Sequence, residues 1–143
     1  MSFPPADVEA RSFYLGVIYA FIEVVASGCK RLALSPPMTA DELQEVYGSA
    51  LAIAAEYGVL ARADDDCLET RLFNPAFTRG KHVLLFVADR ATLDEYLALK
   101  ELRTRSLADG SLAEREEEIA RGFGRLLSYS DEAVAGLLEK PRF

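Results

Sequence analysis

Residues 59–88, VLARADDDCLETRLFNPAFTRGKHVLLFVA, decide the fold of this chain. Before and after them the apolar residues recur every three or four positions, the spacing of an amphipathic helix; within them that period stops. Val59–Ala63, Leu68–Phe73 and His82–Ala88 are short apolar or alternating runs. They are separated by Asp64-Asp65-Asp66 and by residues 74–81, which contain Pro75 and Gly80. Short runs bounded by turn formers read as strands. The expectation is a three-stranded antiparallel meander.

Working backwards, Thr39 can cap a helix while Glu42 reaches back to complete a capping box. Leu43, Tyr47, Ala50, Ala54 and Tyr57 then fall on one stripe, and Gly58 supplies a left-handed end. An earlier helix is expected from about Asp7 to Leu34, entered after Pro4-Pro5 and stopped by Ser35-Pro36-Pro37. Two helices joined by a short proline turn are expected to pack antiparallel. Working forwards, Thr92 with Glu95 and Ser111 with Glu114 form two further boxes, with Asp109-Gly110 as the break between their helices. Ser130 caps a last short helix ahead of Pro141. The whole reads as an α+β domain, mostly helical: a helix pair, a three-stranded antiparallel meander, then two to three C-terminal helices. No repeat or linker divides it, so one domain over residues 1–143 is expected.

The chain has 143 residues, half of them hydrophobic and 27% charged, with a formal net charge of −7. That hydrophobicity argues against disorder, and the acidity argues against a nucleic-acid partner, because phosphates are bound by clustered Lys and Arg. The bases concentrate in the second half, at Arg79, Lys81, Arg90, Lys100, Arg103 and Arg105. The most apolar run, Phe13–Ala26, is too short to span a membrane and contains Glu23, so no membrane partner is expected. Met1-Ser2-Phe3-Pro4-Pro5 lacks a secretory pattern, and Cys29 and Cys67 read as two reduced thiols, which together suggest a cytoplasmic protein.

No motif names a reaction. Cys29, Cys67 and His82 lack the paired spacing of a zinc site, and Asp64 through Thr70 lacks the central glycine of a calcium loop, so no metal is expected. Cys67 sits among acids that raise a thiol pKa, which makes it a poor nucleophile. Thr78-Arg79-Gly80-Lys81-His82 hints at an anion loop but precedes a strand, where a P-loop precedes a helix. Arg121-Gly122-Phe123-Gly124-Arg125 lies inside a predicted helix and is no dinucleotide fingerprint; its glycines suit close packing. No cofactor is implied.

Two features remain. The first helix is apolar around more than the ~100° that a surface helix buries, so it is either the centre of the fold or part of a subunit contact. A three-stranded sheet also has two edges that must be covered or paired. Both favour a non-catalytic protein acting by association, as a homo-oligomer (a dimer first) or with a protein partner. The alternative is a small-molecule-binding protein or enzyme, with a pocket between the N-terminal helices and the meander. Its candidate residues are Tyr19, Glu23, Tyr47, Glu56 and His82. Of these, Tyr19 and Glu23 share the narrow polar stripe Ser12, Gly16, Tyr19, Glu23, Ser27 and Lys30, which reads most simply as a solvated face.

Overall fold

A computed structural model describes residues 4–140. Met1-Ser2-Phe3 and Pro141 therefore lie outside the described residues. The elements in chain order are α1 (Ala10–Ala26), β1 (Leu32–Leu34), α2 (Ala40–Tyr57), β2 (Leu60–Asp64), a 3-10 turn at Pro75–Phe77, β3 (Val83–Val87), α3 (Arg90–Asp109), α4 (Leu112–Leu126) and α5 (Asp131–Glu139). This is the expected α+β architecture: two helices, a three-stranded antiparallel sheet, then C-terminal helices.

The first helix ends eight residues before the expected Leu34. The Cys29 N–H donates to Val24 O and the Gly28 N–H to Val25 O, with Gly28 at φ 83°. Those two bonds close a Schellman cap that only a residue tolerant of positive φ accepts readily. The released chain crosses the sheet as β1, and Ser35-Pro36-Pro37 ends that strand where a helix end was expected.

The strand membership differs from expectation for the same reason. β3 is central and pairs antiparallel with β1 (Leu32 opposite Val87) and with β2 (Leu60 opposite Val87), giving the order β1-β3-β2. Since β1 occupies the second flank of β3, Leu68–Phe73 has no ladder to join. Its backbone is held by side chains instead: Leu68 N–H donates to the Tyr96 hydroxyl and Leu72 N–H to Thr70 Oγ1. With a strand between them, α1 and α2 do not form the expected antiparallel hairpin. Contacts run in the same order along both, Tyr14 meeting Glu42 in the first turn of α2 and Tyr19 meeting Tyr57 at its last residue.

The sheet divides the interior in two. Leu84 and Phe86 of β3, with Ala33, join Ile18, Ile22 and Val46 in a core under α1 and α2. Val83, Leu85 and Val87, with Leu32, join Tyr96, Ile119 and Phe123 in a second core under α3, α4 and α5. All five residues of β3 are buried, which explains its unbroken apolar run in the sequence. Each such side chain contributes about 1.5–3 kcal/mol by leaving water. α1 meets both the sheet and α2, which bury Tyr14, Ile18, Ile22 and Val25 fully. Phe13, Val17, Phe21 and Val24 stay half-buried along its outer flank.

Of the helix caps, the Thr39–Glu42 box forms in full and Ser130 accepts from the Ala133 N–H. The expected start at Thr92 moves to Asp89, whose carboxylate accepts the Thr92 N–H. Ser111 stands at the expected start of α4 but turns its hydroxyl to Asp109.

Candidate functional site

The residues singled out from the sequence divide into two places. Tyr19, Glu23 and Glu56 lie together on the exposed seam between α1 and α2. There the Tyr19 and Tyr57 hydroxyls are hydrogen-bonded at 2.7 Å with their rings edge to face. That bond is the main cause raising the Tyr57 phenol to about 12, and the Glu23 and Glu56 carboxylates add to it. Glu23 is exposed, as are Ser12, Gly16, Tyr19 and Ser27 of its stripe. Tyr47 is exposed farther along α2. His82 lies apart, beside Met38, with which it exchanges two backbone hydrogen bonds of 2.8 Å. No enclosed polar cleft gathers these five.

The edges of the sheet are unequal. Ser35 N–H donates to Leu84 O and Ala88 N–H to Arg31 O, so the even residues of β3 turn their backbone groups toward β1. By the alternation of an antiparallel ladder, the odd residues face β2, and Leu60, Arg62 and Asp64 answer them. The N–H and C=O of Ala61 and Ala63 therefore point off the sheet, and no hydrogen bond to them is found among the described residues. α2 contacts β2 and α1, while α1 contacts β1 and β3. α2 thus sits over the β2 side. Its Ile53 packs inward with the α1 cluster, whereas Leu51, about 200° away around the helix, is exposed on the flank beyond β2. Tyr47 is one turn from Leu51 on that flank, and Leu60 at the start of β2 is 45% exposed.

On the other side of the sheet the sequence reading missed a polar cluster. The Tyr96 hydroxyl donates to Asp64 Oδ2 at 2.7 Å and accepts the Leu68 N–H at 3.0 Å, and Lys100 Nζ lies 2.9 Å from the same carboxylate. Burial pushes the Asp64 carboxyl upward, but Tyr96, the Asp66 N–H and Lys100 outweigh it and hold the carboxyl below its ordinary value. Burial raises the Tyr96 phenol strongly. It also raises the neighbouring Cys67 thiol to about 11, which keeps that sulfur protonated and unreactive at neutral pH. The signal available in the sequence was the spacing of Tyr96 and Lys100, one turn apart on a helix that otherwise looked simply amphipathic. The arrangement is a structural tie between the end of β2 and α3.

Segment 65–82 roofs the second core and bounds two adjoining cavities. The outer, of about 780 Å³, is lined by Glu69, Arg71, Arg79, Arg103, Glu116 and the apolar Leu112, Ile119 and Leu138. The inner, of about 200 Å³, is walled by Leu34, Leu68, Phe73, Phe77, Val83 and Phe123. Arg79 grips Glu69 through Nε (2.7 Å) and Nη2 (3.0 Å), with Arg103 at 3.4 Å. Arg79 is the main cause holding the Glu69 carboxyl below its ordinary value. Arg79, singled out in the hinted anion loop, thus lines a cavity, although the loop itself is a turn leading into β3.

Among the described residues no three His, Cys, Asp or Glu side chains converge to hold a metal ion, and no helix is long and apolar enough to cross a membrane. The chain matches no protein-family model, no curated protein and no solved structure.

Proposed function

We propose that this protein acts by association, as a homodimer formed through the β2 edge and the outer flank of α2, without catalysis. The observation that carries the reading is the open β2 edge. The backbone groups of Ala61 and Ala63 point off the sheet, Leu60 is exposed at the start of the strand, and Tyr47 and Leu51 are exposed on the helix that covers its other face. An open edge strand is a template for pairing with another chain. A second copy meets it antiparallel about a two-fold axis, so that each surface covers its counterpart. Five residues of edge alone make a small contact, and the α2 flank adds the apolar area that a stable interface needs. Two free thiols, one exposed at Cys29 and one buried at Cys67, suit the reducing cytoplasm.

Light scattering on the purified chain at micromolar concentration tests this. The expected mass is that of a dimer. Ala63→Pro is expected to give a monomer with an unchanged circular dichroism spectrum, because the Ala63 N–H faces away from β3 and its loss breaks no ladder bond. A monomeric mass for the unmodified chain, or a dimer that survives Ala63→Pro, would refute the proposal.

A further inference from the structure

The two cavities under segment 65–82 adjoin, both bounded by Glu69, Thr70, Phe73, Asn74 and Pro75, and their chemistry differs. The outer one is ringed by charge; the inner one is walled almost wholly by carbon. Three guanidiniums, Arg71, Arg79 and Arg103, face two carboxylates, Glu69 and Glu116. Arg79 and Arg103 share Glu69. Glu116 has no ion pair among the described residues, and neither has Arg71. The outer cavity therefore has an excess of one positive charge, with one guanidinium fork unengaged. A single excess charge suits a monoanion better than a phosphate dianion, which would meet Glu69 and Glu116 at close range. A planar carboxylate fits a guanidinium fork in two parallel hydrogen bonds. The apolar slot behind then asks for a hydrocarbon tail. The roof between the two cavities is irregular, with a single 3-10 turn in residues 65–82, and is tied down at Leu68 by the Tyr96 hydroxyl and at His82 by Met38.

We infer that this side of the molecule binds a medium-chain carboxylate, its headgroup on Arg71 beside Arg79 and its alkyl chain in the slot between Leu68, Phe77, Val83 and Phe123. The site lies across the sheet from the α2 flank, so its occupancy does not depend on the dimer proposed above.

Titration of the isotopically labelled full chain with octanoate, followed by two-dimensional NMR below the concentration at which octanoate self-associates, tests the inference. Saturable shifts are expected at residues 67–79 and Phe123. Arg71→Gln removes an exposed side chain that holds nothing else in place. It is expected to weaken octanoate on the order of fivefold, the upper effect of one solvent-screened ion pair. Octanol, which keeps the tail and loses the charge, is expected to bind the unmodified chain more weakly and to be indifferent to Arg71→Gln. Absence of saturable shifts, shifts centred elsewhere, equal binding of octanol, or an Arg71→Gln chain with unchanged octanoate affinity would each overturn the inference.

Discussion

Replacing Tyr96 by Phe deletes one oxygen from a fully buried site and leaves the ring's packing in place. Two groups lose a partner. The Leu68 N–H, buried with its donor at 3.0 Å from the hydroxyl, is left unsatisfied at a cost of about 1–2 kcal/mol. Asp64, whose side chain is 9% exposed, loses a 2.7 Å hydrogen bond to a charged acceptor, worth about 1.5 kcal/mol with Lys100 still in place. The expected loss at pH 7 is about 3 kcal/mol, or roughly 6–12 °C in Tm for a chain of this size. The two parts separate by pH. Asp64 has its folded-state pKa below the unfolded value of about 3.9. Its contribution is therefore fully present above that value and is lost as the pH falls through the folded one. Urea unfolding at pH 7 and near pH 3 should show the penalty of Tyr96→Phe shrinking in acid toward the part that belongs to the Leu68 N–H. A penalty under 0.5 kcal/mol at pH 7, or one that grows in acid, would refute the reasoning, on the ±0.5 kcal/mol scale of inert substitutions.

Gly124→Ala places a methyl against Val134 Cγ2 on the neighbouring helix, too close to be accommodated without movement; thermal unfolding should show a loss of about 1–3 kcal/mol. Gly122→Ala meets only the flexible end of Leu99 at 3.0 Å, and the gain of about 1 kcal/mol in helix propensity should leave it neutral or better. Ser128 stands at φ 63° and its hydroxyl accepts the Arg31 N–H at 2.9 Å. Ser128→Ala should cost about 1 kcal/mol by losing that bond, whereas Ser128→Gly loses it but relieves about 1 kcal/mol of left-handed strain and should unfold near the original temperature.

The parts of the fold legible in the sequence are those written in local chemistry. The Thr39–Glu42 box, the Gly58 and Gly110 ends and the Ser130 cap each involve residues within four positions of one another, and each forms. The β3 run was legible because burial on both faces leaves no polar residue in it. What escaped was decided at long range. Nothing local distinguishes Leu32–Leu34 from the end of an apolar helix except Gly28, and nothing local bars Leu68–Phe73 from the sheet. The choice between them is made on β3, where Leu32–Leu34 takes the flank opposite β2 and Ser35 lends its hydroxyl to the Leu84 N–H. The site residues follow the same division. Tyr19 and Glu23 were read as part of a polar stripe, and Glu56 of the second helix joins them on one exposed seam. Arg71 gave no signal and Tyr96 only its one-turn spacing from Lys100, because their roles come from a roof and a floor more than twenty residues apart.

The central position of β3 sets the order in which the molecule can be completed during synthesis. β1 and β2 never touch each other; each finds its hydrogen bonds only on β3, whose last residue is Val87. A nascent chain that has exposed α1, β1, α2 and β2 therefore has two helices and no sheet, with Ile18, Ile22 and Val46 lacking the floor that Leu84 and Phe86 provide. The α1 and α2 face must wait, apolar surface uncovered, until one five-residue segment leaves the ribosome and closes the first core; the second waits further for α3, α4 and α5. Truncations ending before Val83 should remain unfolded and bind chaperones, while those ending just after Val87 should acquire the α1/α2 core first.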